Sequence, residues 1–418
     1  MPPLSILIIG GGVAGNALAF WLQRLGHRIT VIERFPSLRD TGLQIDLRGH
    51  GMDVLKLMGL EEAFRACAAP ETGMQIVDSD DRRWAYFPAN KSGQGAQSFT
   101  SDLEIMRGDL CRLFYDKTKE RTRYVFGQSV EEMHDNGEFV QVRFTNGETE
   151  RFDLVVGADG QGSRTRRMML GPDGKDGFVP LGGSYIGYFT MSQPMRKGDD
   201  YNASMYIGTG GRCMMTRRHN TTHLQVYLMC STQSEDLRRA HRKDVEGEKA
   251  ALTDIFLDAA WKAPQLLAAL DSADDFYCEH LGVVKLDRWS KDRIVLLGDA
   301  AYCPSAMTGM GTTSALVGAY VLAGEIGRHC SSDEQGLSAA LSGYEATFRP
   351  FMDQVQKGLV ENAASRDKWW PKSGFGVYTL NCIMWTVSAL RLDRLAQRVF
   401  PEGKIKWELP EYQELLKC

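Results

Sequence analysis

No stretch of this sequence carries an excess of one charge. Its 49 lysines and arginines and 53 aspartates and glutamates are interspersed, for a formal net charge of −4, which leaves no electrostatic case for a nucleic-acid partner. A dense basic cluster, Arg217, Arg218 and His219 in TRRHN, is expected to be a solvated turn. Cysteine pairing is missing too. The nine cysteines, at 67, 111, 213, 230, 278, 303, 330, 382 and 418, form no CxxC and keep no regular spacing, so reduced thiols in a cytoplasmic protein are expected, and no metal site. Cys303 stands in a loop without a nearby histidine and is expected to be inert rather than nucleophilic.

Long apolar runs are absent as well. The most apolar late segment, GVYTLNCIMWTVSAL from Gly376 to Leu390, carries Asn381, Thr386 and Ser388 and falls short of the ~20 residues that span a bilayer. A docking helix is expected there, and no transmembrane segment. MPPLSILIIGGG has no basic n-region, so no signal peptide is expected. There is no low-complexity tract, and 418 residues suffice for two domains or one large α/β body, because single cores stop growing near roughly 250 to 300 residues.

What is present begins at once. LSILII, Leu4 to Ile9, is a continuous apolar run suited to a parallel strand buried on both faces. GGGVAG follows, with Gly10, Gly12 and Gly15 spaced as GxGxxG, and then NALAFWLQRLG with helical periodicity. Gly10 serves the tight turn, Gly12 the close approach of backbone to a pyrophosphate, and Gly15 the packing of helix on strand, with Val13 and Ala14 between them at the helix start. A second strand, RITVIER, ends at Glu33, eighteen residues after Gly15, where a carboxylate can accept bonds from ribose hydroxyls. The glycine pattern alone does not choose between NAD and FAD.

Four later segments repeat the theme of a strand or turn followed by a helix. DTGLQIDLRGHG carries Asp46 and Arg48 between turn glycines, which by themselves suit a surface hairpin of paired charges. In SDLEIMRGDLCRLFYDKT, Arg107 opens an amphipathic helix, a place where a cation opposes the helix dipole unless an anion is bound nearby. RFDLVVGADGQGSRTRR has an apolar strand from Phe152 to Ala158, then Asp159 and Gly160, with Ser163 able to cap the next helix. Late in the chain, a strand from Ile294 to Leu297 delivers Asp299, and a loop of small residues leads through Gly309, Gly311 and Thr312 into a helix. Thr312 or Thr313 is the expected N-cap, and the loop suits a flat or anionic group lying against its backbone.

In this order the motifs resemble those of the single-component FAD-dependent aromatic hydroxylases of the p-hydroxybenzoate hydroxylase fold. Gly10, Gly12, Gly15 and Glu33 match the first FAD motif, Asp159-Gly160 the second, and GDAA at Gly298 to Ala301 the third. GLQIDLRG, LEIMRGDL, GDAAYCPSAMTGMG and LVGAYVLAGE are similar to stretches of the tetracycline-inactivating flavoprotein monooxygenases and related secondary-metabolite hydroxylases. The resemblance implies that Gly10, Gly12, Val13, Ala14 and Gly15 hold FAD, with Glu33 and Arg34 at its adenosine. It places Arg39 and Asp46 near the nicotinamide cofactor and flavin, and Arg107, Asp159, Asp299, Gly311 and Thr312 at FAD, Asp299 at the ribityl chain. Four positions depart from the family pattern: Tyr302 stands where histidine is common, the proline is shifted to Pro304, Met310 replaces the glutamine of GQG, and Thr313 replaces asparagine. No glutamine stands on the strand from Ser184 to Met191. Arg212 is near the place of a family arginine and is the catalytic candidate, for a substrate oxygen.

The expected fold class is α/β, a Rossmann-like FAD-binding domain interleaved with an antiparallel β-sheet substrate domain, plus C-terminal helices. Residues 1–75, 106–175 and 286–350 are assigned to the FAD-binding domain, 76–105 and 176–285 to the substrate domain, and 351–418 to the helical segment, where FGVYTL and Trp385 either close the site or simply pack between helices. The resemblance further implies that NAD(P)H reduces FAD, that a C4a-hydroperoxyflavin forms with dioxygen, and that a phenolic or polycyclic small molecule, a tetracycline-like compound among the possibilities, is hydroxylated by a monomer or weak dimer. The hard chemistry is then the cofactor's, so no catalytic triad is expected. An FAD-dependent reductase or dehydrogenase on the same scaffold, or a non-catalytic flavin- or drug-binding protein, remains as an alternative.

Overall fold

The computed structural model describes residues 3–38, 42–89, 104–330, 336–363, 371–392 and 405–416. Arg39 and Cys418 lie outside them. The chain opens as a βαβ unit: β1 (Ser5–Ile9), α1 (Val13–Arg24) and β2 (Arg28–Glu33). It continues through β3 (Gln44–Asp46), α2 (His50–Leu57) and α3 (Glu61–Ala66) to β4 (Gly73–Val77) and β5 (Arg83–Pro88), then returns by β6 (Glu104–Met106), α4 (Arg107–Thr118) and β7 (Thr122–Phe126). A meander of β8 (Val130–Asp135), β9 (Val140–Phe144) and β10 (Thr149–Phe152) precedes β11 (Leu154–Gly157) and α5 (Arg164–Leu170).

The parallel part is a six-stranded sheet of order β17-β18-β11-β1-β2-β7, where β17 (Ser290–Lys291) and β18 (Ile294–Leu296) arrive late in the chain. Ile6, Leu7 and Ile8 are fully buried in β1, as a strand covered by helices on both faces requires. Because β1, β2, β11 and β18 run parallel, their carboxyl ends, and so Gly10, Glu33, Asp159 and Asp299, meet along one edge, where open α/β sheets take ligands. The apolar run from Phe152 is not one strand. Phe152 ends β10 in antiparallel pairing with β9, and Leu154 begins β11. Asp153 makes the change of sheet, its Oδ2 accepting from the Ser5 amide at 2.7 Å.

The second sheet has seven strands: β4, β5, β12 (Phe178–Ser192), β13 (Asn202–Ile207), β14 (Arg212–Arg217), β15 (His223–Ser231) and β16 (Tyr277–Val284), in the order β16-β12-β15-β14-β13-β4-β5. It is antiparallel except where β13 runs parallel to β4, the seam at which the early excursion of the chain meets the later one. One face is covered by α6 (Glu235–Ala240), α7 (Val245–Phe256) and α8 (Ala263–Asp271), with Val226, Leu228, Phe256 and Leu266 fully buried between. Alternation sends Tyr227, Met229 and Met215 to the other face. There Met215 and Met229 join Leu380, Met384 and Val387 of the helix Gly374–Ala389. That helix leaves Phe375 and Trp385 82% and 56% exposed, so neither aromatic is a core residue, while Tyr378 meets Trp84 of β5 edge-on.

After β18 come the short α9 (Asp299–Tyr302) and the long α10 (Gly311–His329) and α11 (Gly336–Val355). α10 packs against α1, with the Trp21 and Tyr320 rings 5.2 Å apart. Among the described residues, no helix is long and apolar enough to cross a membrane.

Candidate functional site

The first turn is held by steric necessity. Gly10 has φ 113°, and a Cβ there would lie 2.5 Å from the Ala158 carbonyl; a Cβ on Gly15 would lie 2.0 Å from the Gly10 carbonyl. Gly12 differs. It is the N-cap of α1 with no capping side chain, and a Cβ there would meet nothing nearer than Arg107 Nη2 at 3.5 Å. The turn is therefore rigid at Gly10 and Gly15 and open at Gly12, toward which the α1 amides point. Asn16, which the motif reading did not single out, braces it by donating to the Gly11 and Gly12 carbonyls at 2.6 and 3.0 Å. Glu33 accepts from the Gly11 amide at 2.8 Å and from the Phe35 amide at 3.1 Å; each oxygen keeps a second lone pair for a ribose hydroxyl. Arg34 is exposed and lies over the Phe35 ring at 5.1 Å.

The late motif closes on the same place. Gly298, at φ 64°, comes so near α1 that a Cβ on it would be 2.9 Å from Ala14 Cβ. Asp299 follows, its side chain reaching solvent. Partial burial pushes its pKa up, against the pull of Arg107 and a hydrogen bond from Cys303. Burial also opposes the Arg107 charge, but Cys111, Tyr277, Asp299 and Glu33 outweigh it and hold the guanidinium ionised. α10 begins at Gly311, next to Thr312, with Met310 as N-cap and no capping side chain. A Cβ on Gly311 would stand 4.0 Å from Asp299 Oδ1, so α10 and α1 both bring uncapped N-termini to this cleft. Ser305 in the intervening loop has φ 68° and a buried hydroxyl with no hydrogen-bond partner among the described residues.

Thr313 is not the cap. Its hydroxyl accepts from the Arg48 amide at 3.0 Å and donates to the Arg48 carbonyl at 3.1 Å, fastening the β3 segment to α10, a task invisible to local helix rules. Asp46 pairs with Arg48 Nε at 2.5 Å. Asp159 folds back on its own loop, accepting from the Arg164 and Thr165 amides at 2.8 and 3.0 Å, while Ser163 caps α5 by accepting from Arg166 N. Tyr302 points away from the cleft into the core, its hydroxyl 3.1 Å from that of Tyr344 and its ring 4.7 Å from Trp289. Cys303 is buried, which pushes its thiol well above the ordinary value; it is no nucleophile at neutral pH.

Arg212 and Arg217 occupy opposite ends of β14. Arg212 sits at the hairpin end, donating to the Ile255 carbonyl at 2.7 Å and pairing with Asp258, so the structure does not bring it to the other candidates. Arg217 is buried, as is Arg218, which donates to the Gln193 carbonyl at 2.5 Å. The basic cluster is thus no solvated turn. Arg217 Nε donates to Glu71 Oε2 at 2.8 Å, its Nη2 pairs with Glu71 and Glu104, and Gln44 Nε2 donates to both carboxylates at 3.1 and 2.9 Å. Those partners lie 146 and 113 residues away in sequence, and no local pattern announces them. Burial pushes Glu71 up to about 7, with Arg217 opposing and Glu104 adding to the shift. Its Oε1, like that of Gln44, has no hydrogen-bond partner among the described residues.

Across the cleft-facing side of the sheet runs a row of tyrosines. Tyr188 is directly opposite Tyr277 on β16 and Tyr227 on β15, with ring centroids 4.8 and 5.3 Å apart. Glu279, two residues beyond Tyr277 and so on the same face, lies 3.4 Å from the Tyr188 hydroxyl. On the opposite face, His241, Glu248 and Cys278 bring three possible metal-ligand atoms within 4.8 Å of one another. The carboxylate there is already engaged by His241 Nδ1 and the Arg242 amide, both at 2.8 Å, and serves as the joint between α6 and α7.

Comparison with known proteins gives the family. The family profile described as FAD binding domain matches residues 4–358. The FAD-dependent monooxygenase asL4 of Sarocladium schorii is 47% identical over all of both chains. The flavin-dependent monooxygenase eupH of a Phoma species is 38% identical over 99% of this chain and 98% of its own. Among solved structures, the tetracycline destructase Tet(55) is 29% identical with a TM-score of 0.77, covering 99% of this chain and 100% of its own.

Proposed function

The chain belongs to the FAD binding domain family and is an FAD-dependent monooxygenase, and from that premise we propose that it uses NAD(P)H and dioxygen to hydroxylate a phenolic or polycyclic small molecule. The observation that carries the reading is the meeting, at one edge of the parallel sheet, of two uncapped helix N-termini and the opposite charges of Asp299 and Arg107, with Tyr277, the end of the tyrosine row, close enough to act on Arg107.

The residues present fit FAD. The open backbone at Gly12 and the α1 amides would take the pyrophosphate, Glu33 the adenosine ribose, Arg107 and Asp299 the chain between pyrophosphate and ring, and the α10 N-terminus from Gly311 to Thr312 the ring edge. When bound and reduced by NAD(P)H, FAD would supply the electrons that split dioxygen, one atom of which would pass to the substrate while the other leaves as water. What the chain's own residues do is bind, orient and exclude water. Asp299 and Arg107 balance charge, and Tyr277, half-buried at the end of the tyrosine row, offers an aromatic face to a flat ring. Arg217, buried beside Tyr227, keeps a positive charge under the end of the row. The polycyclic substrate class rests on this platform and on the likeness to a tetracycline destructase.

The test is a purified holoenzyme assayed for NADPH oxidation with 2,4-dihydroxybenzaldehyde, 1,8-dihydroxyanthraquinone and tetracycline, followed by mass spectrometry. Stimulated oxidation with a product heavier by one oxygen supports the reading. A protein that takes up no flavin from added FAD would sink it.

A further inference from the structure

The helix Gly374–Ala389 is committed to the protein on one side only. Successive residues of an α-helix turn by about 100°, so Leu380, Met384 and Val387, which pack on the substrate sheet, share one side. Phe375, Tyr378, Ile383, Trp385 and Leu390 fall on the opposite arc, about 160° wide, and are 82, 58, 53, 56 and 64% exposed. Single exposed apolar residues are ordinary, but a contiguous stripe of five marks an interaction surface. The threonines on that arc need no water: the Thr379 and Thr386 hydroxyls donate to the Phe375 and Cys382 carbonyls, both at 2.8 Å. Charge is absent from the helix and present at both ends. Exposed Lys372 and Arg391 are the only charged residues from 371 to 392, and the acidic residues of the turn before β5, Asp80 and Asp81, are paired with Arg82 and Lys262.

We propose that this helix docks the enzyme on the surface of an anionic lipid bilayer, lying in the plane of the interface with its apolar arc at the acyl boundary and Lys372 and Arg391 at the headgroups. The inference goes beyond the monooxygenase reading and does not depend on it. A helix of 16 residues is about 24 Å long, too short to cross a hydrocarbon core of about 30 Å. Its composition suits one that lies flat, with aromatic and aliphatic side chains on one face and cations beside them. Trp385 and Tyr378 favour that boundary, because the ring enters the apolar layer while its polar tip stays at the headgroups. The inner face, which a free amphipathic helix would fill with lysine, is covered here by the substrate sheet. A second copy of the chain fits worse. A footprint of about 24 by 10 Å gives about 240 Å² per partner, where a stable interface takes about 800 Å². Either pairing of two such helices also sets cation against cation at both ends, with no acidic residue in 371–392 to offset them.

The experiment floats FAD-loaded protein on phosphatidylcholine vesicles with and without phosphatidylserine, and compares wild type with the double variants Phe375→Ser, Trp385→Ser and Lys372→Glu, Arg391→Glu. Flavin absorbance per chain and melting temperature check that each variant is folded. Wild type is expected to float with the phosphatidylserine vesicles and to be released by high salt. The apolar variant is expected to lose about 10²-fold in vesicle affinity, and the charge variant about 10-fold, on anionic vesicles alone. If the apolar variant does not fold, the charge variant decides: reduced flotation supports the proposal and undiminished flotation overturns it. A wild type that floats with neither vesicle overturns it, as does a folded apolar variant that floats like wild type. Equal flotation of the wild type on both vesicles overturns the choice of an anionic surface. A wild type that sediments as a dimer without floating, beside a monomeric apolar variant, assigns the face to a second copy and overturns the lipid occupant. No outcome involves turnover, so failure here leaves the monooxygenase reading standing.

Discussion

Arg217 on β14 and Glu71 before β4, 146 residues apart in sequence, form a buried ion pair with Nε to Oε2 at 2.8 Å. The pair ties the substrate sheet to the β3 and β6 strands through Gln44 and Glu104.

Breaking it from the cationic side leaves two buried carboxylates without their counter-charge. Arg217→Ala is expected to destabilise the protein by about 3 to 5 kcal/mol, read as a large fall in melting temperature. Arg217→Lys, which keeps the charge and loses the fork, is expected to fall between it and wild type.

The same network has a pH signature. Glu71 in the folded chain is raised to about 7 from an ordinary 4.5, so the folded state binds the proton more tightly than the unfolded one. Its contribution is full below the unfolded value and is lost as pH rises through the folded one. The melting temperature of the wild type is therefore expected to decline between about pH 4.5 and 7 more steeply than that of Glu71→Gln. Parallel curves would contradict the assignment.

The two glycines of the first turn should fail differently. Gly15→Ala puts a methyl 2.0 Å from the Gly10 carbonyl and is expected to impair folding itself. Gly12→Ala meets only the tip of Arg107 at 3.5 Å, so it should fold with a melting temperature near that of the wild-type apoprotein and yet hold FAD poorly. Circular dichroism melts with flavin absorbance separate the two outcomes.

Asp299→Ala removes a carboxylate that lies between Arg107 and the α10 N-terminus. A charge-assisted hydrogen bond lost there corresponds to about 10- to 100-fold in FAD affinity, measurable by flavin fluorescence titration. Tyr302→Phe, by contrast, loses only the contact with Tyr344. It should cost about 1 kcal/mol of stability and leave the bound-flavin spectrum unchanged.

How much of this is legible in the sequence follows from the range of the interactions. The βαβ unit is local: an apolar strand, three glycines and a helix within thirty-three residues, and the structure has it with the expected strand and helix. Asp299 and Arg107 are legible one at a time, because each opens a helix. Thr313 is not, because its partner is the Arg48 backbone 265 residues away, and a hydroxyl at a helix start looks like a cap until the partner is known. Arg217 and Arg218 look like surface charge for the same reason. The tyrosine row and Glu279 depend on strand order and register. Alternation puts Tyr277 and Glu279 on one face, but only the pairing of β16, β12 and β15 sets them beside Tyr188 and Tyr227. The break at Asp153 is hidden because apolar residues flank it on both sides.

The central claim is tested most directly by incubating FAD-loaded protein with NADPH, the polyphenol panel and isotopically labelled dioxygen, and weighing the products. The account predicts a product that carries one labelled oxygen atom, with NADPH consumed only when dioxygen is present. Turnover that proceeds undiminished without dioxygen, or a product free of label, would contradict it.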